Sequence, residues 1–335
     1  MRMRRFPLSL AVLVLLASAA SSDEYSPHAF EDFPKQLLWG DLHVHSSFSF
    51  DANSAGNLRL EPEAAYRFAR GEAVVANSDM TAKLEQPLDF LVVSDHSEYM
   101  GLLPAVRRDD AAALADADAR RLRDELKDPP EGGFGIVATL GDRITDGRTP
   151  IARAAGLASP MWREITRQAD AANDPGHFTA LIGFEWSSMP GGDNLHRVVV
   201  YRDGAEKAGQ RVPVSAFDGD APEDLWNFME AYQREVGGGI LAIPHNANLS
   251  NGRMFALTGS DGRPIDAAYS ERRARLEPVV EVTQYKGDAE AHPLLSPDDP
   301  FADFETWDWG NIHATKVFPK QPAMLEFEYA RSALK

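Results

Sequence analysis

Histidines and carboxylates stand at the ends of four short apolar runs in this sequence. They occur in the segments Asp41–His45, Ser94–His96, Gly183–Trp186 and Pro244–Asn246. In barrels of alternating strands and helices, reactive side chains come from the C-terminal ends of several strands. Because imidazole nitrogens and carboxylate oxygens are common ligands for transition metals, these four strand ends predict a shared metal site.

The spacing of His43 and His45 favours a common ligand role. Side chains alternate across a strand, so positions two apart face the same way and the two imidazoles could share one cation. Asp41 lies on the same face and could orient a ring nitrogen of a histidine. The alternative interpretation is a pair of half-buried histidines with no metal.

Five further residues are candidate ligands, and three of them could have a structural role instead. Glu185 ends an apolar run, where a carboxylate is costly to bury unless it is paired or metal-bound, so it is the candidate bridging ligand. His245 follows a proline, which ends a central strand where the ligand would begin. Asp51 could instead cap a helix or a turn, His96 could be a core histidine and His196 a surface histidine. The remaining histidines are interpreted as structural or solvated: His28, His177, His292 and His313.

The elements that must position these residues are strands and helices in alternation. Apolar runs predict strands at Leu37–His45, Leu88–His96, Phe178–Trp186, His196–Tyr201, Gly239–His245 and Pro278–Tyr285. Helical patterns occur at Glu61–Ala69, Ala105–Leu126, Met161–Ala172, Pro222–Val236 and Pro322–Lys335. The alternation predicts an α/β fold with a parallel sheet and helices outside it. We interpret residues 101–160 as an insertion over one face of this fold.

The composition limits both the site and its partners. The chain has no cysteine, which excludes disulfides and thiolate ligands, so a metal must be held by His, Asp and Glu. The formal charge of −17 argues against a nucleic acid partner and against an anionic membrane surface, since both attract Lys and Arg. Solubility alone is the alternative explanation of this acidity.

Residues 1–19 have the pattern of a signal peptide. Arg2, Arg4 and Arg5 precede the apolar run Leu8–Leu16, and Ala17–Ala19 supplies small residues for cleavage. The apolar run is too short to cross a bilayer, although a membrane anchor is the alternative interpretation. We therefore expect a periplasmic or secreted protein with no stable membrane insertion after cleavage, and one domain over residues 20–335.

Together, these motifs resemble those of the PHP (polymerase and histidinol phosphatase) superfamily and, within it, the domain-of-unknown-function 3604 family. The resemblance covers residues 36–335 and rests on the segments Trp39–His45, Phe90–Tyr99, Gly183–Trp186, Asn194–Arg197, Ile243–Asn246 and Gln284–Gly287. It implies a distorted (β/α) barrel of seven strands that holds up to three divalent metal ions. Sites of histidine and carboxylate suit Zn, Mn or Fe.

The resemblance also implies a role for each candidate. The three metal positions would be His43 with His45, then Glu185 as a bridge with His196 and His245, then Asp51 with His96. Glu185, Asp95 and Arg197 are expected to be the catalytic residues. The family's final Asp-x-His motif is absent, so we expect either a fragment or a degraded member whose barrel lacks its last strand.

These expectations favour a metal-dependent hydrolase whose small anionic substrate is a phosphate ester, attacked by a metal-activated water. Arg197 or Lys286 could offset charge on the phosphoryl oxygens, with surface strand positions as the alternative interpretation of both. Two other functions stay open. One is a metal-dependent amidohydrolase, whose barrels also begin with His-x-His. The other is a non-catalytic metal- or ligand-binding protein with a partial site.

Overall fold

The computed structural model describes residues 36–129, 133–146, 151, 156–311, 313 and 317–334. Contacts divide the chain into Met1–Leu37 and Leu38–Lys335, and the helices and strands given below belong to the second unit. The predicted signal peptide and His28 lie outside the described residues. Within those residues, no helix combines the length and the apolar character needed to cross a membrane.

Five strands form a curled sheet that resembles half of a barrel, in the order β1-β4-β5-β6-β7. Two further pairs of short strands, β2 with β3 and β8 with β9, form separate antiparallel ribbons. The strands are β1 (Gly40–Val44), β2 (Val74–Val75), β3 (Thr81–Ala82), β4 (Phe90–Val93), β5 (Thr179–Trp186), β6 (Arg197–Tyr201), β7 (Ile240–Pro244), β8 (Thr283–Gln284) and β9 (Gly287–Asp288).

The sheet is mixed, so the prediction of a parallel sheet is only partly confirmed. β1, β4 and β5 are parallel, whereas β6 runs antiparallel to both β5 and β7. The cause is the short connection between β5 and β6, which holds only the 3₁₀ turn Pro190–Gly192. A parallel return requires a longer crossover, usually a helix, so the chain folds straight back.

The prediction of a sixth strand over Pro278–Tyr285 is wrong for most of that range. Only Thr283–Gln284 is a strand there, and it pairs with β9 instead of joining the central sheet. Proline lacks the N–H that a central ladder requires, and the Glu281 N–H donates to the carbonyl of Pro244 outside any regular ladder. The seven-stranded barrel implied by the resemblance is therefore not confirmed.

Helices cover the sheet and occupy the predicted insertion. They are α1 (Phe50–Ser54), α2 (Pro62–Ala69), α3 (Leu102–Arg107), α4 (Ala117–Glu125), α5 (Phe134–Thr145), α6 (Ala158–Ala172), α7 (Ala205–Ala208), α8 (Pro222–Val236), α9 (Ala267–Leu276) and α10 (Ala330–Ala333). The helices expected around α2, α6 and α8 are confirmed. α8 begins at a proline, which needs no N–H there, and ends before Gly237 in the left-handed conformation (φ 67°).

The long helix expected over Ala105–Leu126 is wrong, because it is broken into α3, a 3₁₀ turn and α4. Asp109 adopts a positive φ of 56° after α3. The Asp116 side chain then accepts the N–H groups of Asp118 and Ala119 and starts α4. Aspartate side chains that bond to the backbone compete with helix continuation. The final helix expected over Pro322–Lys335 is likewise a 3₁₀ turn followed by the short α10.

Two apolar clusters support the architecture. The larger joins the sheet to the helices outside it and contains the large buried rings of Trp162, Phe184, Tyr201 and Trp226. The second contains Leu103, Leu122, Leu140 and other apolar side chains of the predicted insertion. Burial of this kind is worth about 25 cal/mol per Å² of apolar surface, so each cluster is a main stabilising term.

Candidate metal centre

The predicted ligands meet at one edge of the curled sheet. His43 lies on β1 and His45 directly follows it, while Glu185 lies on β5. His245 follows β7. His196 precedes β6 and reaches the same edge because β6 is antiparallel, so its start pairs with the ends of β5 and β7. The ligands therefore still meet at one edge of the sheet, although β6 runs in the direction opposite to the one expected.

Glu185 is the centre of this arrangement. Its side chain is only 1% exposed, and five imidazoles approach its carboxylate. The distances to its oxygens are 2.6 Å from His196 Nδ1, 2.8 Å from His45 Nε2, 3.1 Å from His245 Nε2, 3.4 Å from His43 Nε2 and 3.6 Å from His96 Nδ1.

Electrostatics keep this buried carboxylate ionised. Burial alone would raise the pKa of Glu185, but the surrounding histidines, His96, His245 and His196 first among them, hold it well below its usual range. A buried anion of this kind requires compensating positive charge, from protonated imidazoles or from a bound cation.

Three overlapping donor groups surround Glu185. In each group, one ligand atom per residue lies within 4.8 Å of the others. The groups are His43 with His45 and Glu185, then His45 with Asp51 and His96, then Glu185 with His196 and His245. Glu185 and His45 each belong to two groups, so cations held by these groups would be neighbours.

Several buried ligand atoms fit a bound metal better than a hydrogen-bonded network. His45 Nε2, Glu185 Oε2, His196 Nε2 and His245 Nδ1 are buried and have no hydrogen-bond partner among the described residues. The first two lie 2.8 Å apart, yet their geometry is not that of a hydrogen bond. Buried polar atoms are almost always satisfied, so His45 Nε2 and Glu185 Oε2, which face each other, are suited to coordinate a divalent cation. The atoms of His196 and His245 that face Glu185 are instead Nδ1 and Nε2.

The histidines differ in their protonation without a metal. Burial lowers the pKa of His245 to about 3 and that of His196 to about 4, so both imidazoles are neutral at neutral pH. Burial also lowers the pKa of His43, but its hydrogen bonds to Glu185 and Glu281 outweigh this effect and raise the pKa to about 9. A metal ligand must be neutral, so metal binding at His43 would release a proton.

Comparison with known families gives one match. Residues 32–335 match the family described as "Protein of unknown function (DUF3604)". The chain belongs to this family. No curated protein and no solved structure matches it. The expected DUF3604 resemblance is thus confirmed, and the family description itself states no activity.

A carboxylate that the sequence analysis missed, Glu281, completes the centre of this DUF3604 chain. Its Oε2 lies 3.0 Å from His43 Nδ1, and Asp51 Oδ2 lies at the same distance from His45 Nδ1. Carboxylates that contact the second ring nitrogen fix the orientation of metal-binding histidines. Asp41 does not take this role but accepts the backbone N–H of His43. An acidic residue in an otherwise apolar run, the signal used for Glu185, would have identified Glu281 as well.

The structure does not bring two expected catalytic residues to the centre. Asp95 is buried and accepts the N–H and the hydroxyl of Ser46 at 2.5 Å and 2.6 Å, which fixes the loop after β1. Arg197 is fully buried and donates to Glu277 at 3.0 Å, beside the ring of Trp186. Each follows or precedes a ligand by one residue, and alternation turns neighbouring side chains to opposite sides.

The centre opens into a cavity of about 490 Å³. The predicted ligands except His245 line it, together with Asp41, Glu281, Thr283, Gln284, Tyr285 and Lys286. Three other histidines lie elsewhere. His177 is exposed, with its Nδ1 3.5 Å from Asp174 Oδ1, whereas His292 is buried beside Asp308 and His313 is buried beside Asp142.

Proposed function

We propose that this chain is a metal-dependent hydrolase that cleaves phosphate esters with a metal-activated water. The observation that supports the proposal is the set of three overlapping His/carboxylate groups around the buried Glu185. A divalent ion there would polarise substrate oxygens and make a bound water more acidic. Because Glu185 and His45 each belong to two groups, ions held there would be neighbours, as hydrolases with more than one metal require.

The residues of the chain would divide the work between holding cations and orienting ligands. Glu185, kept anionic by its imidazole neighbours, offers an oxygen to each of two groups. His196 and His245 offer neutral nitrogens. Glu281 holds the ring of His43, and Asp51 also contacts the ring of His45. The open cavity leaves room for a small substrate beside these ligands.

A phosphate ester is preferred over other substrates for two reasons. The motifs resemble those of the PHP superfamily, whose members mostly hydrolyse phosphate esters. Phosphoryl transfer also develops negative charge on several oxygens, which neighbouring cations stabilise. An amide substrate, as in amidohydrolases, and metal binding without catalysis are the other outcomes that an experiment must separate.

The test measures bound metal and hydrolysis on the same preparations. Elemental analysis of the supplemented protein should find at least one equivalent of Zn, Mn or Fe. Turnover of 4-nitrophenyl phosphate and bis(4-nitrophenyl) phosphate should exceed that of a cyclic amide such as dihydrouracil. Glu185→Gln should lose most of the activity, because a neutral amide replaces the shared anion, whereas His177→Gln at an exposed position should lose none.

Each outcome has a distinct meaning. Less than one equivalent of metal would overturn the metal centre itself. Full metal content with faster amide than phosphate hydrolysis would favour the amidohydrolase, and full metal content without turnover of either would favour a binding protein. Activity of Glu185→Gln equal to that of the wild type would remove Glu185 from the mechanism.

We also propose that the protein is exported, to the periplasm or beyond. The proposal is supported by the basic, apolar and small-residue pattern of residues 1–19. Expression of the whole chain in a Gram-negative host, followed by fractionation and N-terminal sequencing, should recover a mature form that begins near residue 20. Recovery of the uncleaved chain in the cytoplasm alone would contradict export.

A further inference from the structure

The rim of the metal cavity carries a small ribbon with two side chains that the centre does not use. β8 and β9 pair through Thr283 with Asp288 and through Gln284 with Gly287, so Tyr285 and Lys286 form a two-residue turn. Both turn residues line the cavity of the metal centre. The turn therefore stands where a substrate would enter.

The turn is fixed in place by its surroundings. The Gln284 side chain donates to Glu281 at 2.8 Å, and the Asn248 side chain donates to the Lys286 carbonyl at 3.2 Å. Gly287 has φ 106°, and the next residue, Asp288, donates its N–H to the Glu305 carbonyl at 3.0 Å. A turn held from three sides is preorganised, which lowers the entropic cost of binding.

Lys286 brings an ammonium group to a cavity that is otherwise lined by carboxylates, imidazoles and uncharged side chains. Asp41, Asp51, Glu185 and Glu281 contribute carboxylates to the lining, whereas Lys286 is the single Lys or Arg among the described lining residues. Lys286 also forms no ion pair within the described parts of the chain.

Tyr285 offers a different kind of surface. Its residue is 89% exposed, and the Lys286 Nζ lies 5.4 Å from the centre of its ring. Exposed aromatic rings beside a binding cavity pack well against flat organic groups, and a cation near the ring keeps the pair together. An ammonium and an aromatic ring side by side match a ligand that carries an anionic oxygen next to a planar group.

We propose that the Tyr285–Lys286 turn is the substrate-recognition element of this centre and selects phosphate esters of aromatic or other planar alcohols. The Lys286 ammonium donates a hydrogen bond to a phosphoryl oxygen, and the Tyr285 ring packs against the planar alcohol portion. This inference rests on the proposed phosphoesterase function and names its substrate class.

Binding of two non-hydrolysable probes tests the inference without reference to turnover. Phenylphosphonate and methylphosphonate are titrated calorimetrically into the zinc-loaded full chain, and the zinc content of every variant is measured first. Lys286→Met should weaken both probes by about 10- to 100-fold, the usual effect of losing a charged hydrogen bond. Lys286→Arg should retain most of the affinity.

Tyr285 is tested by the difference between the probes. Tyr285→Ala should weaken phenylphosphonate by about 3- to 10-fold and leave methylphosphonate unchanged, while Tyr285→Phe should bind both like the wild type. Lys83→Met is the matched charge control, because Lys83 is an exposed lysine beside the other ribbon, directly after β3. It should bind both probes like the wild type.

The outcomes separate the two proposals. If the zinc-loaded wild type binds neither phosphonate, the phosphoesterase function fails and this inference fails with it. If the wild type binds both probes and Lys286→Met binds them equally well, the recognition role of the turn is overturned while the function stands. Equal loss of both probes in Tyr285→Ala would overturn the selection of planar alcohols.

Discussion

The Glu281 carboxylate orients the His43 imidazole without belonging to any of the three donor groups. It contacts the Nδ1 of His43 at 3.0 Å and leaves the Nε2 of that ring directed toward Glu185. The orientation of His43, and hence the affinity of its donor group, should depend on this contact.

We predict that Glu281→Gln lowers metal affinity by about 10- to 100-fold, the usual cost of losing a partner that orients a ligand. Competition with a calibrated chelator at fixed pH measures the change in dissociation constant. Glu85→Gln, at an exposed position outside the centre, serves as the matched control and should bind metal like the wild type. Equal affinities for both variants would remove Glu281 from the centre.

The Arg197 side chain does not line the cavity of the centre, whereas that of its neighbour His196 does. Its guanidinium pairs with Glu277, which also accepts the Trp226 indole N–H at 2.9 Å and a bond from Arg273 at 3.2 Å. Burial is nearly complete for both Arg197 and Glu277. The pair therefore belongs to the core beneath β6.

We predict that Arg197→Met lowers the free energy of unfolding by about 3 kcal/mol, because it leaves a buried carboxylate with one partner fewer. Urea denaturation measures the loss, and zinc content of the folded fraction should stay at the wild-type value. Arg202→Met, an exposed position directly after the same strand, is the control and should cost much less. Unchanged stability together with lost turnover would instead favour the catalytic role first expected.

A buried ion pair links the C-terminal segment to the loop after β7. Lys320 Nζ lies 2.6 Å from Glu328 Oε2 and also donates to the Asn248 carbonyl, while Glu328 accepts the N–H of Gly252 at 3.1 Å. Burial raises the pKa of Glu328 to about 6, although Lys320 acts against that rise.

This pKa gives the pH dependence a definite sign. The folded chain binds the Glu328 proton at higher pH than the unfolded chain, so this carboxyl favours folding at low pH and less so as pH rises. We predict that the free energy of unfolding of the wild type, relative to Glu328→Gln, falls by about 2 kcal/mol at most between pH 4.5 and pH 7. Urea titrations at several pH values measure this difference.

Glu326→Gln is the matched control, because Glu326 is exposed in the same segment. Its difference from the wild type should stay nearly constant over this pH range. A wild-type advantage over Glu328→Gln that instead grows toward pH 7 would contradict the assigned direction of the pKa shift.

For the whole molecule, the centre connects strands that lie across the entire sheet. Its ligands come from β1, β5 and the segments that follow β4 and β7 or precede β6. Cations bound by these donor groups would stabilise only the folded chain, since the unfolded chain holds no such site.

We predict that removal of metal with a chelator lowers the melting temperature by several degrees. Saturation at a thousand times the dissociation constant adds about 4 kcal/mol to the stability of the folded state. Differential scanning calorimetry before and after chelation measures the shift, and restored metal should reverse it. Glu185→Gln should show a smaller shift, and an equal shift in both proteins would place the stabilising ion elsewhere.

Most of the centre and much of the helical layer could be predicted from the order of the amino acids alone. Alternation along a strand brings His43 and His45 to one face, and the cost of a buried charge singled out Glu185. The helices α2, α6 and α8 follow from local periodicity and from prolines at their first turns. These features depend on neighbours within a few residues, which is why the sequence sufficed.

The features that depend on distant partners could be assigned only from the folded chain. The reversal of β6 follows from a short connection. The pairing of Arg197 with Glu277 and the contact of Glu281 with His43 join residues far apart in the sequence. The break in the expected helix over Ala105–Leu126 is different, because it has a local cause: Asp110 and Asp116 accept backbone N–H groups two and three residues ahead. Local pattern assigns a side chain to a face of its own element, whereas the fold determines which element that face meets.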